Sequence, residues 1–375
     1  MGTWLLGIPF DYFASTKVIS VSFTKNLKTS LRSFDKYRRA KMKRLEVLLY
    51  WLLNNKKHNQ QTVLPHDQVK NIAIVRNNGR IGNMYFLIPF ISQTRALYPN
   101  ANITLVLKQS WQGHVFEGLN VDHIRYTNFS FKHLLSYIKE IRILKRTTYD
   151  LVIVPTNSVE DSMICAMLNG KNKVSSPNDN RNICYTHTFD KSDDRKHAAL
   201  THLYLLARLG NTLVEPISHH LAFTAEELEF GNDKKREFER DEQITLAYFR
   251  GARGSKQLSD EKWRDIIKQF EMASNQSINW VEVLSPDITS PLQPGIHTVF
   301  QKDMRLLASV LKHMDGFICC DTGPLHLADA AGARCIGLYN KTNPEVFGVL
   351  SDYSINEHLD SLDASRALTR VIGEQ

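Results

Sequence analysis

Short, continuous apolar runs recur along this chain, each separated from the next by a longer stretch with helical spacing. Asn71–Val75 reads as a first strand, 77–83 as a polar, glycine-containing loop, and 84–98 as a helix that Pro89 should bend. Strands are expected at 103–108 and 149–155, and helices at 131–146, 158–168 and 197–209. A second set starts near Gln243, with a strand at 244–249 and a loop at 251–256. Ser259 then opens a helix with Asp260 and Glu261 in its first turn, as the helix dipole prefers. Strand 278–284, helix 302–313 and strands 316–320 and 335–339 complete the set. Buried strands alternating with helices predict parallel sheets covered on both faces. The expected architecture is α/β, with two Rossmann-like parallel-sheet domains at 69–230 and 231–350 facing a cleft. The charged segment 223–240 joins them, and a tail at 351–375 ends in a helix returning over the first domain.

A different pattern precedes Val69. Leu31, Phe34, Tyr37, Met42, Leu45, Leu48, Leu49 and Leu52 recur at helical spacing, with Lys and Arg filling the gaps. Residues 1–68 therefore read as a basic helical extension, with 54–67 as a polar linker. A basic amphipathic helix can lie on an anionic membrane face or pack on the protein body with its charges solvated. Residues 25–57 are the segment that would meet the membrane.

Charge sharpens this division. The chain of 375 residues has net charge +8, but residues 1–57 hold 12 Lys/Arg against 3 Asp/Glu, leaving 35 against 36 elsewhere. A nearly neutral body with a basic arm argues against a nucleic-acid-binding core, so no nucleic-acid partner is expected. The five cysteines, Cys165, Cys184, Cys319, Cys320 and Cys335, form no C-x-x-C pair and suit reduced, buried thiols in the cytoplasm. No cleavable signal peptide is expected, because Met1 to Phe10 lacks a basic region. No apolar stretch approaches the roughly 20 residues of a membrane-spanning helix.

The candidate chemistry centres on Cys320-Asp321-Thr322-Gly323-Pro324-Leu325-His326. A buried strand, a glycine turn and a helix start is how α/β proteins hold phosphate, through free N–H groups and the helix dipole. Gly323 allows close approach, Pro324 suits the first helical turn, and Thr322 can cap the helix or donate its hydroxyl. The pattern predicts a pyrophosphate-bearing ligand late in the chain. Gly79 to Gly82 lacks the full G-x-G-x-x-G fingerprint, which disfavours a nicotinamide dehydrogenase. His219-His220 has no further ligand spacing, so no metal and no cofactor are expected.

These residues resemble the signature of ADP-heptose:lipopolysaccharide heptosyltransferases, the family-nine glycosyltransferases. The resemblance rests on Asp321 to His326, Ala330-Ala331-Gly332, Cys335 to Tyr339 and Asn343-Pro344. It extends to Arg76, Arg80-Ile81-Gly82, Leu87-Ile88-Pro89, Ala96 to Pro99, Tyr149 to Ile153, and Gly251 to Lys256 with Trp263. It covers about Val69 to Gly348. It implies a GT-B fold, an ADP-sugar donor on the C-terminal domain, an acceptor on the N-terminal one, and inverting, metal-independent transfer. The acceptor would be lipopolysaccharide core or a lipid-linked glycan, and the enzyme cytoplasmic or peripheral on the bacterial inner membrane. By the same resemblance Lys256 lies near the donor phosphates, and Thr322, Gly323 and His326 form the phosphate-contacting turn. Arg253, Asp321, Pro324 and Leu325 complete the expected donor site, Asp321 by ordering the turn. Arg80, Gly82 and Asn83 are the expected acceptor residues.

One departure stands out. The family normally has an aspartate base after the first glycine, and this chain has Asn83. An amide cannot take a proton near neutral pH. Three readings follow: another group deprotonates the acceptor, the acceptor is activated differently, or the protein binds nucleotide-sugar or glycan without turnover. A different nucleotide-sugar donor is a further alternative. His114, Asp193, Asp194 and His197 are the replacement bases that the sequence offers.

Overall fold

The computed structural model describes residues 46–130, 133–191 and 194–373. Among them two parallel sheets of six strands carry the fold. The first contains β1 (Asn71–Val75), β2 (Asn102–Leu107), β3 (His123–Tyr126), β4 (Thr148–Val154), β5 (Asn169–Ser175) and β6 (His187–Thr188), in the order β3-β2-β1-β4-β5-β6. The second contains β7 (Gln243–Phe249), β8 (Ser277–Val283), β9 (His297–Val299), β10 (Gly316–Cys320), β11 (Cys335–Tyr339) and β12 (Ile355–His358). Its order, β12-β11-β10-β7-β8-β9, is the same winding read from the other edge. The two-sheet Rossmann architecture expected from the sequence is the one observed.

The winding locates the site. In each sheet the chain reverses direction between the first and fourth strands, so their following loops separate and leave a crevice at the carboxyl ends. The loops after β1 and β4, and after β7 and β10, are therefore where ligands belong. β1 pairs with β4 through Ile72–Leu151 and Ile74–Ile153, and β7 with β10 through Leu246–Gly316 and Tyr248–Ile318.

Alternation along the strands divides the core. Ile72 and Ile74 pack on one face of the first sheet with Ile103, Leu105, Leu151 and Ile153. That cluster runs on into Ala247, Phe249, Val281, Phe317 and Cys319 of the second sheet, so the inner faces share one continuous core. Ala73, Val75, Val106, Val152 and Val154 face outward under α3 (Leu134–Leu144) and α4 (Val159–Met167). At about 25 cal/mol per Å² of apolar surface removed from water, such burial is the dominant stabilising contribution.

Several elements differ from expectation. The helix expected at 84–98 is two, α1 (Gly82–Tyr85) and α2 (Ile88–Leu97), with Pro89 in the first turn of the second, where its missing N–H costs little. Only the end of the 197–209 helix forms, as α5 (Tyr204–Arg208). The linker expected at 54–67 is docked: Asn55 N–H donates to Ala166 O at 2.8 Å and Gln60 N–H to Lys171 O at 2.8 Å. The tail does not return over the first sheet. Residues 355–358 form β12, and α11 (Ala364–Ile372) buries Ala364, Ala367, Leu368 and Val371 against the second sheet with Trp263 and Ile318. The helix expected at 31–53 falls partly outside the described residues, and 46–53 is helical. The remaining helices are α6 (Ala225–Phe238), α7 (Asp260–Ala273), α8 (Met304–His313), α9 (Gly323–Ala331) and α10 (Pro344–Phe347). All five cysteines are free and buried.

Candidate active site

Two glycine turns meet at the junction of the sheets. Gly82 opens α1 after β1, and Gly323 opens α9 after β10. A Cβ on Gly82 would come within 3.2 Å of the His326 ring, and a Cβ on Gly323 would collide with the Ile81 side chain. Gly323 has no room for a side chain and Gly82 has little, so the two turns approach closely because both residues are glycine. This contact places Asn83 beside the start of α9.

The α9 turn is organised around Asp321, whose carboxylate is buried. Its Oδ1 accepts from His326 Nε2 at 3.1 Å and its Oδ2 from Lys256 Nζ at 2.5 Å. Lys256 also donates to Asp321 O at 3.0 Å. Burial by itself would raise the Asp321 pKa, but the hydrogen bonds from His326 and Lys256 outweigh it and bring the value down to about 2. The carboxylate is thus charged throughout the physiological range and pins a cation and an imidazole at the helix start. The N–H groups of Leu325 and His326 both bond to Thr322 O, at 3.1 and 3.4 Å. Pro324 has no N–H, so Gly323 supplies the N–H of the opening residue. The Thr322 hydroxyl lies 3.3 Å from Cys319 Sγ and does not cap the helix through its side chain.

The other expected donor residues divide. Arg253 is exposed in the same β7–α7 loop as Lys256. The Leu325 side chain is wholly buried in the core, so it supports the turn from beneath and does not face a ligand.

Beside the turn lies a cavity of about 100 Å³, lined by Arg76, Asn83, Phe86, Thr156, His202 and Phe347 among others. Phe86 lines the cavity and reaches the turn, its ring 4.5 Å from that of His326 and 6.3 Å from that of Phe347. Arg76 is almost buried, its Nη1 3.6 Å from Asp161 Oδ2. Asp161 also accepts the Asn77 N–H at 2.5 Å, which fixes the loop after β1. Arg80 is exposed on that loop, where Asn78 accepts its backbone N–H at 2.8 Å.

Of the replacement bases read from the sequence, His114, Asp194 and His197 do not line this cavity. His114 sits between Glu117 and Asp303, at 2.9 and 3.1 Å, and these carboxylates raise its pKa against the opposing effect of burial. Both His197 nitrogens are engaged, Nε2 with Gly348 O at 2.9 Å and Nδ1 with the Ala199 N–H at 3.2 Å. Asp194 is exposed, and Asp193 lies outside the described residues. His202 does line the cavity, and sequence reasoning missed it. It follows His197 by five residues in a stretch read as helix, and nothing in its neighbours marks it.

A family model described as glycosyltransferase family 9 (heptosyltransferase) matches residues 138–367, more than half of the chain. A search of curated proteins returns no match. Among solved structures, a family 9 glycosyl transferase from Veillonella parvula superposes with TM-score 0.66 at 18% identity, covering 77% of this chain and 86% of that one. The E. coli heptosyltransferase WaaC with ADP gives 0.63 at 17% identity, covering 79% and 97%. The E. coli ADP-heptose lps heptosyltransferase II gives 0.62 at 14%, covering 80% and 97%. At these identities the structural matches speak to the fold.

Proposed function

Because the chain belongs to glycosyltransferase family 9, we propose that this glycosyltransferase moves heptose from ADP-heptose onto lipopolysaccharide core, with inversion and without a metal. The observation that carries this reading is the α9 turn, where Gly323 opens the helix and Asp321 holds Lys256 beside it at 2.5 Å. A diphosphate leaving there meets a helix N-terminus and an ammonium group, both positive, and neither has to reorganise. Two solved relatives named for ADP or ADP-heptose share this fold. In this reading 231–350 holds the donor, 69–230 the acceptor, 1–68 is a basic extension and 351–375 a tail. Arg253, Thr322 and His326 complete the donor site, and Arg80, Gly82 and Asn83 meet the acceptor. Calorimetry with ADP-heptose and with UDP- and GDP-sugars tests it. ADP-heptose should bind at least tenfold more tightly than the others, and equal affinities would count against the donor assignment.

Asn83 supports a second reading, a member that binds nucleotide-sugar or glycan without turnover. Donor consumption with a core acceptor separates the two.

The reading places the enzyme on the cytoplasmic face of the inner membrane. No helix among the described residues is long and apolar enough to cross a membrane. In helix 46–53, Tyr50 is buried against Tyr137, Ile141 and Leu144, whereas Trp51 and Leu52 are 62% and 65% exposed. Leu134, Leu135 and Ile138 of neighbouring α3 are exposed too, and so are Lys56, Lys57, Lys139, Arg142, Lys145 and Arg146. Exposed apolar side chains and exposed cations on the same two segments suit an anionic bilayer, each cation contributing about 1 kcal/mol near its surface. A Trp51→Glu/Leu135→Glu protein should bind phosphatidylglycerol vesicles at least tenfold more weakly than wild type in sedimentation. Unchanged binding would refute the membrane surface.

A further inference from the structure

The chain lacks a carboxylate at the position of Asn83, yet the cavity beside Asn83 holds one group that can accept a proton. Its lining residues contribute four polar side chains, Arg76, Asn83, Thr156 and His202, and the rest of the wall is apolar. Arginine does not deprotonate in proteins, and Arg76 is turned to Asp161. The amide of Asn83 is no base, and the Thr156 hydroxyl, 3.4 Å from Asp161 Oδ2, donates to that carboxylate. His202 is the remaining candidate within the lining.

We propose that His202 is the general base of this enzyme, taking over the proton transfer that Asn83 cannot perform. This rests on the glycosyl-transfer reading of the same site. The acceptor hydroxyl enters the cavity, and Asn83 orients it by hydrogen bonding. Its proton passes to the unprotonated imidazole nitrogen while the oxygen lone pair bonds to the anomeric carbon of the donor. The bond from that carbon to the diphosphate oxygen breaks, and its electron pair leaves with the diphosphate towards Lys256 and the α9 turn. The imidazolium then loses its proton to water.

The surroundings of His202 fit the task. Burial lowers its pKa to about 4, and Arg76 and Lys191 add to the effect. Arg76 approaches from the end of β1, with Asp161 of α4 behind it, and Lys191 from the stretch after β6. An imidazole near 4 is as weakly basic as an ordinary carboxylate, the group that activates the nucleophile in inverting glycoside hydrolysis. His202 therefore stays unprotonated at neutral pH and supplies carboxylate-like basicity without a negative charge. His326 is not equivalent, because Asp321 holds its Nε2 at 3.1 Å.

The test is a His202→Gln protein assayed with ADP-heptose and a core acceptor. The expected result is a fall in kcat of about 10²-fold, the lower range for general-base catalysis, with ADP affinity unchanged within twofold. Asn83→Asp in the His202→Gln background should recover at least tenfold, by returning a carboxylate to the cavity. A His202→Gln protein within threefold of wild-type kcat would overturn the base assignment and leave the transferase reading standing. A wild-type protein that binds ADP-heptose but transfers to no acceptor would overturn the transferase reading, and the base with it. Should the variant not fold, the pH profile of wild-type kcat/KM decides. A base must be unprotonated, so activity holds above its pKa and is lost as pH falls through about 4. That limb should move with temperature as an imidazole's does, because a carboxylate's barely moves. A limb insensitive to temperature, or none above the pH of unfolding, would overturn the assignment.

Discussion

A Lys256→Met protein is expected to turn over donor about 10²–10³-fold more slowly than wild type, the cost typical of losing one preorganised donor to a developing oxyanion. Lys256 sits in the β7–α7 loop, and its ammonium is held by the Asp321 carboxylate at 2.5 Å and the Asp321 carbonyl at 3.0 Å. Both contacts fix the cation one residue ahead of Thr322 and Gly323, where a departing diphosphate would gather charge. Lys256 is about a third exposed but Asp321 is only 5% exposed, so losing the ammonium leaves a buried carboxylate with fewer partners and lowers stability as well as activity. Rates should therefore be compared at a temperature where every variant is folded. The same geometry makes a second, sharper statement. Removing Lys256 leaves Asp321 charged beside the anion it helped to accommodate. Asp321→Asn in the Lys256→Met background should then recover part of the rate, although Asp321→Asn alone lowers it by releasing Lys256 and His326. Steady-state assays of the three proteins check this, and additive losses in the double variant would show that the two side chains do not act as a unit.

That cluster was legible in the sequence because its signals are local. A strand, a glycine, a proline and a histidine within one turn constrain one another over seven residues. Lys256 carries no such local signal: it is a loop lysine after an apolar strand, and only the family resemblance sets it near the donor phosphates. The alternation of apolar strands with helices carried the fold for the same reason, each run being readable from its own residues. Other parts depend on partners far away in the chain. β5 reads Asn-Gly-Lys-Asn-Lys-Val-Ser, a polar string, yet Asn172, Lys173 and Ser175 are fully buried. Their burial is tolerable because distant backbone groups satisfy them: Lys173 Nζ donates to Asn55 O at 2.8 Å, and Asn172 accepts the Leu64 N–H at 2.8 Å. The docking of 54–67 and the strand character of β5 are thus one fact, invisible in either segment alone. His202 was hidden in the same way. Its place in the cavity comes from the packing of 198–202 against Phe86 and Phe347, which lie in different halves of the fold.

The largest effect on stability is expected at Arg305, where Arg305→Ala should cost about 3–5 kcal/mol. This arginine lies in the first turn of α8 in the second half and is 2% exposed. Its Nε and Nη2 donate to the two oxygens of Glu227 at 2.5 and 2.6 Å, a bidentate pair. Nη2 also bonds to the Ala222 carbonyl, and Nη1 reaches Glu117 O at 3.3 Å and His114 O at 3.5 Å. One guanidinium thereby ties α8 to the start of α6 and to residues 114–117 of the first half. Alanine would take both arginine hydrogen bonds from the Glu227 carboxylate, leaving it only the Thr224 N–H, and would remove the guanidinium from the Ala222 and Glu117 carbonyls. Lysine would not rescue the position, since an ammonium cannot form the planar fork. Replacing both partners, as Arg305→Met/Glu227→Met, should recover most of the loss, because no buried charge is then left alone. The pH dependence has a definite sign. The hydrogen bonds from Arg305 hold the Glu227 pKa below its ordinary 4.5. The stabilisation is full above that value and fades as pH falls through the depressed one, so wild type and Arg305→Ala should converge in acid. Urea unfolding at pH 7 and pH 3 measures both quantities. Equal stabilities at pH 7 would mean that the fork adds nothing to the junction between the halves.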